Sequence, residues 1–411
     1  VTWRASGRAA NPQAQIGVAA AAGKGTIGPP VSVPAASRTL RLDGGAVVTH
    51  CRADFTGLTP ATIYAYRVGD GTSFSPWYRF TTASAGPEPF RFIYLGDAQN
   101  SLDKKWPPLA RAALAAVPDA RFVAYAGDLL AEGYDDGLWG SFVAGLGARA
   151  AEMPGVPAPG NHDLHRSPFF DASGYVLRVP ALWNAHFALP DNGPPELREL
   201  AGQTYFVDYQ GLRIVALDVN AFANGDFEPF QRTRVQDAQV RWLHRVLDTS
   251  PHRWTVVVQH QPIYSVSKHR DFAAMRAALG AVYDRYHVDL VFQGHDHAYA
   301  RTRKVNGGRA VDPGAPGTIY VVSVSGPKMY RITNRWEPLM AVTREGAQLY
   351  QVISVRDERL SYESRTADGR LVDAFSLSKT PGAAPGATTI LSEGVAGGVP
   401  VSRLRVPAGR P

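Results

Sequence analysis

The chain has 411 residues, 45% hydrophobic and 19% charged, which excludes a disordered polypeptide and leaves room for two or three domains. Its formal net charge of +7 contains no basic run, so nucleic acid is not an expected partner, and no apolar stretch reaches the roughly 18 residues that span a bilayer. The single cysteine, Cys51, excludes an internal disulfide and a thiolate cluster. The sequence opens at Val1 with neither Met nor a leader, as happens after signal-peptide removal or when a chain begins inside a longer protein. A secreted or periplasmic location is the expectation, and the oligomeric state is not legible.

In chain order, residues 1–84 read as an all-β module. "RTLRL", "VVTHCRADF", "TIYAYRVG" and "WYRFTT" are short β-prone segments separated by Gly, Pro, Ser and Asp turns. Leu58, Pro60, Thr62 and Tyr64 follow a Leu-x-Pro-x-Thr-x-Tyr pattern. With the strands around it, this corner resembles the second half of a fibronectin type III sandwich, with "VTW" in the place of the second strand.

"ASAGPEP" at 83–89 reads as a linker. From Phe90 strands alternate with helices expected at 105–116, 136–150, 237–248 and 272–286. The last carries Met275, Leu279, Val282 and Tyr286 at helical spacing, a stripe that reads as core. "TYFVDYQ" and "LRIVALDVN" flank Gly211 as a hairpin. "GTIYVVSVSG", "QLYQVISVR" and "RLSYESRTADGRLVDAFSL" are three further strands. This alternation predicts a four-layer α/β/β/α domain over 85–379, followed by a loosely ordered Gly/Pro/Ala-rich tail at 380–411.

Five islands carry metal-type ligands: Gly96-Asp97, Gly127-Asp128, Gly160-Asn161-His162, His260 after "VVVQ", and Gly294-His295-Asp296-His297. Four of them end a compact apolar run of the kind that forms buried parallel strands. Open α/β sheets place their chemistry beyond the carboxyl ends of such strands. Carboxylate and amide oxygens mixed with imidazoles suit borderline metal ions rather than a Ser–His triad. Glycines before the ligands are expected to let the backbone turn tightly. Taken singly, Asp97 and Asp128 read equally well as helix N-caps, and a lone strand-end His as a structural residue.

In this order (GD, GD, GNHD, VxxH, GHxH) the islands resemble the calcineurin-like metallophosphoesterases. They look most like the purple acid phosphatase branch, which also carries an N-terminal fibronectin-type domain. The resemblance implies two metal ions (iron, zinc or manganese). Asp97 and His297 would hold the first, Asn161, His260 and His295 the second, and Asp128 would bridge them. It further implies hydrolysis of small phosphate monoesters by a hydroxide held on the metals, with a phosphodiesterase or nucleotide pyrophosphatase as the alternative. His162 would contact phosphate and protonate the leaving group, and Asp163 is the expected partner of its other ring nitrogen. His269 and Arg270 stand where the family has a histidine pair, as substrate contacts. Specificity is expected from residues 165–200 and 221–235.

Two positions depart from the pattern. Ala131 occupies the place of the purple acid phosphatase tyrosine, so no tyrosinate would ligate the first metal. Gln99 stands where the wider superfamily has Asp-x-His. It would ligate through its amide oxygen or hydrogen-bond a metal-held water. His50, His165, His186, His244, His252 and His287 fit no island; His186, in "LWNAHFALP", reads as packing. Arg301 reads as a site residue or a structural ion-pair partner.

Overall fold

In the computed structural model of the chain, the described residues are 1–5, 10–20, 25–42, 45, 47–166, 177–178, 180–223, 229–379 and 388–394. The first domain has two antiparallel sheets. One orders its strands Thr2–Ala5, Val47–Arg52, Ala36–Arg41, the other Val31–Pro34, Gln13–Val18, Ile63–Gly69, Tyr78–Thr81. The expected corner is present: the Tyr64 hydroxyl accepts from Thr59 N at 3.0 Å, and its ring stacks on Phe80 at 5.8 Å.

This domain is packed firmly onto the second. Leu40 and Val48 are buried in the same cluster as Trp106, Leu109, Trp139 and Trp183. The Tyr66 hydroxyl donates to the Ala151 carbonyl, and Arg4 pairs with Asp136 at 2.7 Å. The linker is pinned by Gln210, which accepts from Ser84 N at 3.0 Å and donates to the Glu88 carbonyl at 2.9 Å.

The second domain has the four layers the alternation predicts. One seven-stranded sheet orders Gly155–Ala158, Val123–Ala126, Phe90–Leu95, Leu349–Arg356, Arg359–Thr366, Leu371–Ser378 and Thr389–Gly394. The other orders Tyr205–Tyr209, Leu212–Leu217, Trp254–Gln259, Leu290–Gln293, Ile319–Val322, Tyr299–Thr302 and Met340–Arg344. Between them lies a core of Phe90, Phe92, Tyr94, Ile214, Val256, Val258, Phe292 and Tyr362. Helices Trp106–Ala116 and Asp136–Leu146 cover the first sheet, with Trp106 and Phe142 stacked at 5.2 Å. Pro229–Asp248 and the segment around Met275, Leu279 and Val282 cover the second.

Several expectations are corrected. The helix expected at 237–248 begins by Pro229; its first two turns are too polar to show an apolar stripe. "RLSYESRTADGRLVDAFSL" is two antiparallel strands, not one, because Gly369, at φ 83°, turns the chain. Residues 380–411 are not wholly a loose tail: Thr389–Gly394 pairs along Leu371–Ser378. The hairpin forms as read, Gln210 and Gly211 both having positive φ (45° and 90°). Parts of the expected specificity segments (167–176, 179, 224–228) and most of the tail lie outside the described residues. Among the described residues no helix is long and apolar enough to cross a membrane.

Candidate metal centre

Phe90–Leu95, Val123–Ala126 and Gly155–Ala158 run parallel in one sheet, and Leu212–Leu217, Trp254–Gln259 and Leu290–Gln293 in the other. Beneath their carboxyl ends the sheets are tied together: Tyr94 stacks on Phe292 at 4.5 Å and its hydroxyl donates to the Gln293 carbonyl. The loops beyond converge. Asp97, Gln99, Asp128, His260 and His297 are at most 2% exposed.

Asp128 is the meeting point. Its Oδ2 is 3.1 Å from His260 Nε2 and accepts from Gln99 Nε2 at 2.7 Å, while Oδ1 accepts from His162 N at 2.8 Å. His260 Nε2 lies 3.2 Å from His295 Nδ1. On the other flank His297 Nε2 is 3.4 Å from Asp97 Oδ1. Two donor triplets result, Asp128/His260/His295 and Asp97/Asp128/His297, each with its ligand atoms within 4.8 Å of one another. They share only Asp128.

The imidazoles are set for ligation by backbone carbonyls. His260 Nδ1 donates to Ala126 O at 2.7 Å and His297 Nδ1 to Lys328 O at 3.0 Å, which turns each Nε2 inward. Burial, followed by the charge on His260, holds His295 well below the usual imidazole range. Burial and then Lys328 push His297 down to about 3. Both are neutral, the form that binds metal. Burial also opposes a charge on His260, yet Asp128, with Asp97, keeps it up at about 9. A proton there does what a cation would do: it offsets carboxylates in a dry site. Burial raises Asp97 well above the carboxylate range, the His260 charge opposing that rise and the Asp128 carboxylate adding to it.

Two further atoms test the fit. Asn161 Oδ1 and Gln99 Oε1 are buried and have no hydrogen-bond partner. Unpaired buried acceptors are costly; Gln99 is bonded to Asp128, and Asn161 lies between Gly160 and His162, both of which pack against Asp128. The residues present fit a pair of cations of the imidazole-and-oxygen class.

The glycines act differently from expectation. Only Gly127 turns the chain, at φ 77°; Gly160 and Gly294 provide room. A Cβ on Gly160 would lie 2.2 Å from Asp128 Oδ1, and one on Gly294 2.2 Å from Asp97 Oδ2. The left-handed conformation falls on the candidate ligands themselves: Asp97 (53°), Asp128 (50°), His295 (73°) and His297 (44°). Such backbone strain costs about 1–3 kcal/mol per residue and clusters at functional sites.

Comparison with known proteins follows the same outline. The model of the calcineurin-like phosphoesterase family matches residues 90–299, and that of the purple acid phosphatase N-terminal domain matches residues 1–82. The chain belongs to the calcineurin-like phosphoesterases. An uncharacterized protein of Mycobacterium tuberculosis is 28% identical over 77% of this chain and 61% of its own length. Purple acid phosphatase 21 of Arabidopsis thaliana is 30% identical over 46% of this chain and 40% of its own. The chain thus spans less than two thirds of the length of either relative. A purple acid phosphatase from yellow lupin (Lupinus luteus) seeds has the same fold, with a TM-score of 0.71 and 20% identity over 92% of this chain and 72% of that one.

Within this calcineurin-like phosphoesterase, Asp163 departs from its expected role. Its Oδ1 accepts from Leu129 N at 3.0 Å and its Oδ2 from Gly160 N at 2.9 Å, lacing two ligand loops together. Burial and then the Asp128 charge raise it to about 7. The ring of His162 is oriented instead by the Ala131 carbonyl, 2.9 Å from Nδ1. Arg270 donates to the His295 carbonyl, faces Asp296 at 3.4 Å and lies 5.0 Å over the Tyr330 ring, so it stands at the site as a brace. His269, next to it, is exposed at φ 62°.

Arg301 is in a buried ion pair with Asp373 at 2.6 Å that joins the two sheets. Lys328 and Tyr330 were missed in the sequence. Tyr330 packs on His297 at 4.8 Å, and Lys328 presents the carbonyl that orients the same ring. Only the Gly326-Pro327 turn before them hinted at a loop there.

Proposed function

We propose that this chain is a metal-dependent hydrolase of phosphoric esters, acting on phosphate monoesters at a centre built for two cations. The observation that carries this reading is the pair of donor triplets sharing Asp128, with the Asn161 and Gln99 amide oxygens left unpartnered beside them. Asp97 and His297 would hold one cation, Asn161, His260 and His295 the other. Gln99 adds an amide oxygen on the first side. Bound there, such cations supply Lewis acidity toward phosphoryl oxygens and lower the pKa of a shared water. Iron, zinc and manganese all accept this ligand set, and without a phenolate at position 131 nothing in it selects ferric iron.

The remaining work falls to side chains of the chain. His162 Nδ1 is engaged by the Ala131 carbonyl, which leaves Nε2 to meet the phosphate ester and deliver a proton to the departing oxygen. The His162 amide holds Asp128 Oδ1, so the proton donor and the bridging carboxylate are positioned by one turn of backbone. Arg270 and Lys328 bring positive charge to the rim on the His295 and His297 side, suited to a dianionic monoester. His269 is a further phosphate contact in this reading.

The test compares an aryl phosphate monoester with the corresponding diester on metal-loaded protein. Faster turnover of the monoester is expected. Faster turnover of the diester replaces this reading with a phosphodiesterase or nucleotide pyrophosphatase using the same residues.

A further inference from the structure

A third donor triplet lies away from the strand ends, between the two domains. His50 is in the middle of the Val47–Arg52 strand of the β-sandwich, paired with Arg4 on one side and Arg38 on the other. Asp136 opens the Asp136–Leu146 helix, and His186 closes the Ala181–His186 helix of the phosphoesterase domain. Their ligand atoms come within 4.8 Å of one another, the same limit the two strand-end triplets meet. His50 is 4% exposed.

Three buried atoms at this spot have no hydrogen-bond partner: His50 Nε2, Asp136 Oδ1 and His186 Nε2. Buried polar atoms are nearly always satisfied, and three orphans at one point of a domain interface call for a ligand in common. The partners of these side chains leave the same atoms free. Arg4 takes Asp136 Oδ2 at 2.7 Å and leaves Oδ1. The Ala185 carbonyl lies beside the His50 ring. His186 is stacked on Trp139 at 4.3 Å and meets His50 edge-on at 4.9 Å, which brings the two rings together at the interface.

We propose that His50, Asp136 and His186 form a zinc site that staples the N-terminal sandwich to the phosphoesterase domain. Two imidazoles and one carboxylate are a zinc-type set, with water as the fourth ligand. Tetrahedral zinc with bonds of about 2.1 Å separates its ligand atoms by about 3.4 Å, so side-chain rotations of about 1–1.5 Å close the triangle. Burial keeps both histidines neutral, which favours ligation over protonation. A single trapped water is the competing occupant, since an imidazole nitrogen can donate or accept, and the zinc titration separates the two.

The site is independent of the strand-end centre and is tested apart from it. Full-length protein stripped of metal is titrated with Zn2+, and bound zinc is counted for the wild type, His50→Gln and Asp136→Asn. The wild type is expected to bind one equivalent more than either variant, or to bind that equivalent at least 100-fold more tightly. The same titration in an Asp128→Asn, His260→Ala background removes the strand-end contribution; there one equivalent should remain, and adding His50→Gln should abolish it. Equal zinc content across wild type, His50→Gln and Asp136→Asn overturns the proposal. Should His50→Gln fail to fold, Asp136→Asn, which leaves both histidines in place, decides alone.

Discussion

Gln99 donates to Asp128 through Nε2 at 2.7 Å and leaves its own Oε1 buried without a partner. The side chain therefore braces the shared carboxylate while presenting a neutral oxygen where an imidazole would complete the Asp-x-His pattern. Gln99→His should tighten binding of the first metal at least tenfold, measured by competition with a chelator. Unchanged affinity would show that position 99 does not face that metal.

Asp128 contacts both triplets, so its loss should not be local. Asp128→Asn is expected to reduce bound metal on both sides and to lower kcat by 10³-fold or more, on the order of 4 kcal/mol in barrier. Metal analysis alongside kinetics checks this. Retention of a full metal complement would mean that the bridge lies elsewhere.

His162 should matter most when the leaving group is poor. His162→Ala is expected to cut turnover of alkyl phosphates by about 10²–10⁴, the usual size of general-acid catalysis, and to cut turnover of a nitrophenyl ester much less. A loss independent of leaving-group pKa would reassign His162 to binding alone.

Iron-reconstituted protein should show no tyrosinate-to-iron absorption in the visible. Position 131 is alanine, and its carbonyl is engaged with His162. Absorption spectroscopy at known iron content is sufficient. Such a band would require a phenolate from outside the ligand set described.

At the domain interface, burial first, then the charges of His50 and Arg4, lower His186 from 6.5 to about 3. A base whose folded pKa is depressed favours folding above its unfolded pKa, and that contribution is lost as pH falls through the folded value. In chelated protein, wild type should therefore lose stability relative to His186→Phe as pH drops below 6.5, by up to about 1.4 kcal/mol per pH unit. Denaturant unfolding between pH 7 and about 5 measures the slope; parallel curves would refute a buried neutral His186.

The strand-end candidate ligands were legible because four of the five islands follow an apolar run, and parallel strands send their ends to one place. The direction of a side chain beyond the strand was not. Asp163 follows His162 directly, yet its carboxylate points back to Leu129 N and Gly160 N. Adjacency in sequence says nothing of that. Lys328 and Tyr330 carry no metal-ligand chemistry and act through a carbonyl and a ring face, neither of which leaves a pattern. His50 and His186 are far apart in the chain and in different domains, so only the packing of one domain on the other reveals that they meet. The four-layer fold was clear from alternation, but the turn at Gly369 was hidden within what read as one continuous strand.

The left-handed backbone at Asp97, Asp128, His295 and His297 limits what these positions can become. Asn, Asp and His are the non-glycine types that tolerate such a conformation, whereas β-branched and bulky residues are disfavoured. Glycine would relax the backbone and delete the ligand. Glutamate would keep a carboxylate but reach one methylene further into a pocket already closed by neighbouring backbone. The candidate centre thus draws on a restricted alphabet, fixed by the peptide chain whatever cation it would hold. Exchanging one cation for another should be easier here than exchanging one ligand for another.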